Sequence, residues 1–82
     1  MNEDQGGGTG ITGHYTAREP MDNHAEGFSR ALDKALEEAA KQGLIQKGGE
    51  YESDVSYSIG IRYTNPPWVG DYRAWINPQP LG

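Results

Sequence analysis

The stretch Tyr51-Glu52-Ser53-Asp54-Val55-Ser56-Tyr57-Ser58-Ile59-Gly60-Ile61-Arg62-Tyr63-Thr64 alternates with period two. Tyr51, Ser53, Val55, Tyr57, Ile59, Ile61 and Tyr63 fall on one side; Glu52, Asp54, Ser56, Ser58, Gly60, Arg62 and Thr64 fall on the other. Successive side chains of a strand point to opposite faces, so this pattern predicts a long strand with one apolar face. Asn65-Pro66-Pro67-Trp68-Val69-Gly70 breaks the alternation with turn residues. Asp71 to Asn77 resumes it, with Tyr72, Ala74 and Ile76 on one face and Arg73, Trp75 and Asn77 on the other. A hairpin is expected, and pairing Thr64 with Asp71 across the loop would set Gly60 opposite Trp75 and Arg62 opposite Arg73.

Toward the N-terminus, Ile11, Gly13, Tyr15 and Ala17 alternate with Thr12, His14, Thr16 and Arg18, which predicts another strand that Pro20 ends. Asp22 or Asn23 can cap the helix that follows, with Glu26 three residues after Asn23 as in a capping box. Phe28, Leu32, Ala35, Leu36 and Ala39 form one apolar stripe at helical spacing, and Glu26, Arg30, Asp33, Lys34, Glu37 and Lys41 take the other side. Gly43 suits the left-handed residue of a C-terminal cap, and Leu44 its hydrophobic contact. The fold class expected is α+β, in the order β-α-β-β. A three-stranded sheet packs on one amphipathic helix and buries Phe28, Leu32, Leu36, Val55, Ile59, Ile61 and Ile76 together.

An 82-residue chain has room for one domain. Residues 1–10 read as a disordered, acidic, glycine-rich arm and residues 11–77 as the α+β domain. Residues 78–82 read as a tail in which Pro78 and Pro80 discourage pairing. So small a core is marginal alone, and with no cysteine there is no disulfide to reinforce it, which points to oligomerisation or a ligand. Seven basic against twelve acidic residues give a formal charge of −5, which disfavours nucleic acid and anionic membrane surfaces. No apolar run is long enough to span a bilayer. The acidic start Met1-Asn2-Glu3-Asp4-Gln5 does not read as a secretory signal, so a cytoplasmic location is expected.

The helix pattern Phe28-x-x-Ala31-x-x-x-Ala35-Leu36-x-x-Ala39-x-Lys41, together with Asp71-Tyr72-Arg73-Ala74 in the last strand, resembles the dodecins. These are small β-α-β-β proteins that bind flavins. The resemblance covers roughly Tyr15 to Ile76. It implies a protomer that assembles into a hollow homo-oligomer and holds flavin (FMN, FAD or riboflavin) by aromatic stacking, for storage and not for turnover. The family stacks flavin on a tryptophan early in the second strand, where this chain carries Tyr51, and the family's flavin-contacting glutamine has no counterpart here. The resemblance thus speaks for fold and assembly more than for the ligand.

Tyr51, Arg62, Arg73 and Trp75 are the candidate ligand-binding residues, because arginine beside an aromatic ring suits a flat aromatic anion. Trp68, Trp75 and Tyr63 are the candidate interface residues. The bland alternative is that the tyrosines are core and that Arg and Trp pack on each other within a protomer. His14 and His24, with Asp22 and Glu26 nearby, have no fixed metal-ligand spacing, and no metal site is expected. Neither a nucleophile elbow, an HExxH motif nor a phosphate loop is present: Gly6-Gly7-Gly8-Thr9-Gly10 follows no strand and lacks the Gly-Lys-Ser/Thr ending. The function expected is non-enzymatic, an oligomeric small-ligand binder. The competing class is a protein-interaction module that uses the open sheet face and the loop 65–70.

Overall fold

The computed structural model describes residues 10–17 and 23–81. The arm before Gly10, the break at Pro20 and the alternative cap Asp22 lie outside the described residues. The chain is an α+β protein, with strand β1 (Ile11–Thr16), helix α1 (His24–Lys41) and strands β2 (Tyr51–Glu52), β3 (Val55–Arg62), β4 (Trp68–Ile76) and β5 (Gln79–Pro80). The main sheet has the order β1-β4-β3, antiparallel throughout, so the last long strand lies in the middle. No described helix is long and apolar enough to cross a membrane.

Both ends of the helix are set by local chemistry. Asn23 is the N-cap, its Oδ1 accepting from the Glu26 N–H at 3.3 Å, and Arg30 returns to the Glu26 carboxylate at 2.8 Å. At the other end Gly43 adopts φ +77°, its N–H donates to the Ala40 carbonyl, and the Leu44 N–H donates to the Ala39 carbonyl. That pair of bonds is a Schellman motif, which satisfies carbonyls the helix itself leaves open.

The helix rests on β1 and β4 and barely reaches β3. Its buried line is Gly27, Ala31, Ala35 and Ala39, one residue per turn. Close approach demands small residues there: a Cβ on Gly13 would lie 2.2 Å from the Ala31 carbonyl oxygen and 2.2 Å from the Ala35 nitrogen. The side chain of fully buried Tyr72 fills the space over Gly27, while Ala74 and Ile76 continue the seam beneath the alanines. This corrects the expected core. Leu36, Val55 and Ile61 are exposed, and Phe28, Leu32 and Ile59 only flank the buried clusters, because the helix seats its smallest residues on the sheet and turns its large ones sideways.

Two further expectations are corrected in the hairpin. The single strand from Tyr51 to Thr64 is interrupted at Ser53 and Asp54, where the Ser53 hydroxyl accepts from the Asn77 N–H and donates to the Asp54 carbonyl. The register is also tighter than expected. Gly60 faces Asp71, Ser58 faces Arg73, Ser56 faces Trp75, and Arg62 faces Trp68. Strand β4 begins at Trp68, earlier than the turn residues suggested, which slides the partners along without exchanging faces. A bulge between Gly60 and Ile61 leaves Gly70 as the extra residue, and its carbonyl accepts from the Ala17 N–H at 2.7 Å.

The proline-containing tail pairs as well. Tyr51 faces Pro80 and Glu52 faces Gln79, continuing the β3–β4 register beyond the interruption. The Leu81 N–H donates to the Glu50 carbonyl, and alternate residues point the same way, so Pro78 and Pro80 direct their missing donors away from β2. Prolines at every second position therefore cost this ladder no hydrogen bond.

Candidate functional site

The helix divides the sheet into two unlike surfaces. On the open face the register lines up Thr12, Trp75 and Ser56, then His14, Arg73 and Ser58, then Thr16, Asp71 and Gly60. The Asp71 carboxylate accepts from the Thr16 hydroxyl at 2.9 Å and lies 2.5 Å from His14 Nε2. These two partners hold the Asp71 carboxyl below its ordinary range, the His14 contact having the larger effect. The cluster is not arranged for proton relay. His14 Nε2 faces both Asp71 and Thr16, whereas a relay needs the carboxylate on one ring nitrogen and the nucleophile on the other. Its place across the last pairs of β1 and β4, on the exposed sheet face, suits fixing cross-strand geometry.

Farther along this face the Arg62 guanidinium stacks 5.5 Å from the Trp68 ring, which lies over Gly70. Gly60, Ile61, Arg62, Trp68 and Asp71 line a shallow depression of about 180 Å³ there. Arg73 and Trp75 sit two residues apart on β4, Trp75 half-buried between the Thr12 and Ser56 positions. Tyr51 is separate from all three. It sits on β2 at the far end of the hairpin from Arg62, and its hydroxyl accepts from the Gln46 N–H at 2.9 Å. The structure thus brings Arg73 and Trp75 side by side, places Arg62 with Trp68, and leaves Tyr51 apart. Tyr63, in the connection after β3, is 91% exposed.

The two histidines occupy different surfaces. His14 belongs to the open face, whereas His24 Nδ1 lies 2.8 Å from the hydroxyl of the buried Tyr72. Among the described residues no group of three His, Cys, Asp or Glu side chains gathers as a metal site.

The helix-side surface holds residues whose pattern predicts a place in the core. Because α1 covers only β1 and β4, the apolar side of β3 is bare along Val55, Tyr57 and Ile61. The helix borders it with Phe28, Leu32 and Leu36, spaced four apart and next to the buried glycine–alanine line. Phe28 and Tyr57 meet at 4.8 Å between ring centroids. The strip joins a helix flank to an edge strand whose outer backbone groups have no partner strand among the described residues. The signal for it was present in the sequence: alanines and a glycine at every fourth position compete with Phe28, Leu32 and Leu36 for the seat on the sheet, and the smaller line allows the closer approach. Comparison with protein-family models, with curated proteins and with solved structures finds no match for this chain.

Proposed function

We propose that this protein is a non-enzymatic, self-assembling binding protein of the dodecin type. In this reading it holds a flat aromatic ligand, flavin foremost, at an apolar surface shared between copies. The observation that carries the reading is the bare strip on β3 and the helix flank, where Tyr57 is 45% and Ile61 62% exposed in a domain whose buried core is largely alanine. Contiguous apolar surface of this kind marks an interaction site, and a small core gains stability from covering it. The Phe28–Tyr57 pair supplies ring faces for stacking.

Titration of riboflavin or FMN with the purified chain, read by quenching of flavin fluorescence beside sedimentation equilibrium, tests the reading. The expected result is an oligomer that quenches flavin, with quenching reduced by Tyr57→Ala. A monomer that leaves flavin fluorescence unchanged would refute it. The exposure of Tyr63 beside Pro66, Pro67 and Trp68 favours, as a second reading, a protein-interaction module that docks through the hairpin loop.

A further inference from the structure

We infer that a second copy of this chain pairs antiparallel along the outer edge of β3, with Ser58 of each copy on the two-fold axis. The inference rests on the assembly part of the reading above and gives it a register.

The edge itself is the first argument. From Val55 to Ile61, β3 carries no charge and no proline, and the bulge beside it puts its extra residue on β4, so β3 keeps a regular outer edge. Natural edge strands are usually blunted by such features, and a long neutral edge that lacks them is a template for another strand. A two-fold axis makes the patch its own partner, so the sequence of β3 must complement itself when reversed.

It does so in one register. With Ser58 opposite its copy, Tyr57 faces Ile59 and Val55 faces Ile61 on the helix side, while Ser56 faces Gly60 on the open side. Just beyond the strand, Asp54 at the interruption comes level with Arg62 of the other copy, an opposite-charge pair that the symmetry repeats at both ends. Shifting the axis to Tyr57 leaves the apolar Ile61 opposite the polar Ser53. Shifting it to Ile59 sets Arg62 opposite Ser56. Only the Ser58 register matches every apolar residue of β3 with another and both end charges with opposite ones.

The resulting sheet would run β1-β4-β3-β3-β4-β1, with both helices on the same side. The bare strips of the two copies then become the two halves of one trough, flanked by a Phe28–Tyr57 pair from each copy. A site for a flat aromatic ligand is incomplete in one protomer and complete in two.

The chain has no cysteine, so single cysteines report the register directly. Directly opposed residues in an antiparallel pair have Cα atoms about 4.5–5.5 Å apart, within disulfide reach. Full-length Ser58→Cys under mild oxidation is expected to give a disulfide dimer. Ser56→Cys, whose two copies lie four residues out of register, is expected to stay uncrosslinked. Asp54→Arg and Arg62→Asp should each weaken self-association about tenfold, and an equimolar mixture of the two should restore it, since both end pairs are then opposite in charge. A parent protein that sediments as an oligomer while Ser58→Cys fails to crosslink, or crosslinks no better than Ser56→Cys, overturns the register and leaves assembly standing. A parent that remains monomeric overturns both, and leaves the β3 edge to a strand from a different protein.

Discussion

Adding a single methyl group at Gly13 should separate the helix from the sheet. A Cβ there would sit 2.2 Å from the Ala31 oxygen and the Ala35 nitrogen and 2.8 Å from the Ala35 Cα, all backbone atoms that cannot rotate away. Restoring an ordinary contact of 3.4 Å requires the helix to move off β1 by roughly 1 Å, because 3.4 less 2.2 leaves 1.2. That shift loosens the packing of Ala31, Ala35 and Ala39 against Ala74 and Ile76, which is the middle of the core. Overpacking of this kind costs about 1–3 kcal/mol when side chains can yield, and a clash with rigid backbone belongs at the upper end. At about 4–8 °C per kcal/mol for a domain of this size, Gly13→Ala should lower the melting temperature by more than about 12 °C. Thermal unfolding followed by circular dichroism measures it, with Gly48→Ala as the comparison. At Gly48 nothing lies within 4 Å, so only the strain of φ +85° is felt, about 1–2 kcal/mol. If Gly13→Ala melts within a few degrees of the parent, the direct seating of the helix on β1 is wrong.

Two further outcomes follow from the hydrogen bonds. The Asp71 carboxyl, held low by His14 and Thr16, contributes stability that is present above the ordinary aspartate range and is lost as pH falls through its depressed value; carbon NMR titration should show that value rising toward normal in His14→Ala. Tyr72→Phe removes the hydroxyl bonded to His24, for a loss of about 0.5–1.5 kcal/mol by urea unfolding. In the parent, burial raises the Tyr72 phenol above its usual value, so stability should fall as pH climbs past about 10, and Tyr72→Phe should flatten that alkaline decline.

The elements whose chemistry is local were legible in the sequence. Asn23, Glu26 and Gly43 state where α1 starts and stops without help from the rest of the molecule, and the alternation in β3 and β4 states which residues share a face. Register was not legible, because the same faces are kept when the strands slide by an even number of residues. What selects Gly60 opposite Asp71 is the early start of β4 at Trp68 and the bulge at Gly70, neither visible as a pattern. The pairing of Gln79–Pro80 with β2 was hidden for a related reason. Proline rules out a strand only where its missing N–H would have faced a partner, and that depends on a parity the sequence alone does not state.

The candidate site was half legible, and the half that was missed follows from competition between two lines on one helix. Phe28, Leu32 and Leu36 make the more hydrophobic line, while Gly27, Ala31, Ala35 and Ala39 make the narrower one. If burial of the largest side chains alone decided the matter, the first line would face the sheet. Gly13 on β1 and Ala74 on β4 change the outcome, since a helix resting on small residues above and below brings backbone against backbone and gains contacts along its whole length. Phe28, Leu32 and Leu36 are then rotated toward β3, where Tyr57 meets Phe28 but the helix is too far over to cover Val55 and Ile61. The close seat on β1 and β4 and the bare strip on β3 are therefore one event seen from two sides. A substitution such as Ala35→Leu that lifts the helix should disturb fold and assembly together, whereas Val55→Ser or Ile61→Ser should weaken assembly and leave the protomer folded. Sedimentation equilibrium beside circular dichroism separates the two cases, and an Ile61→Ser protein that assembles as well as its parent would show that the strip is not the contact.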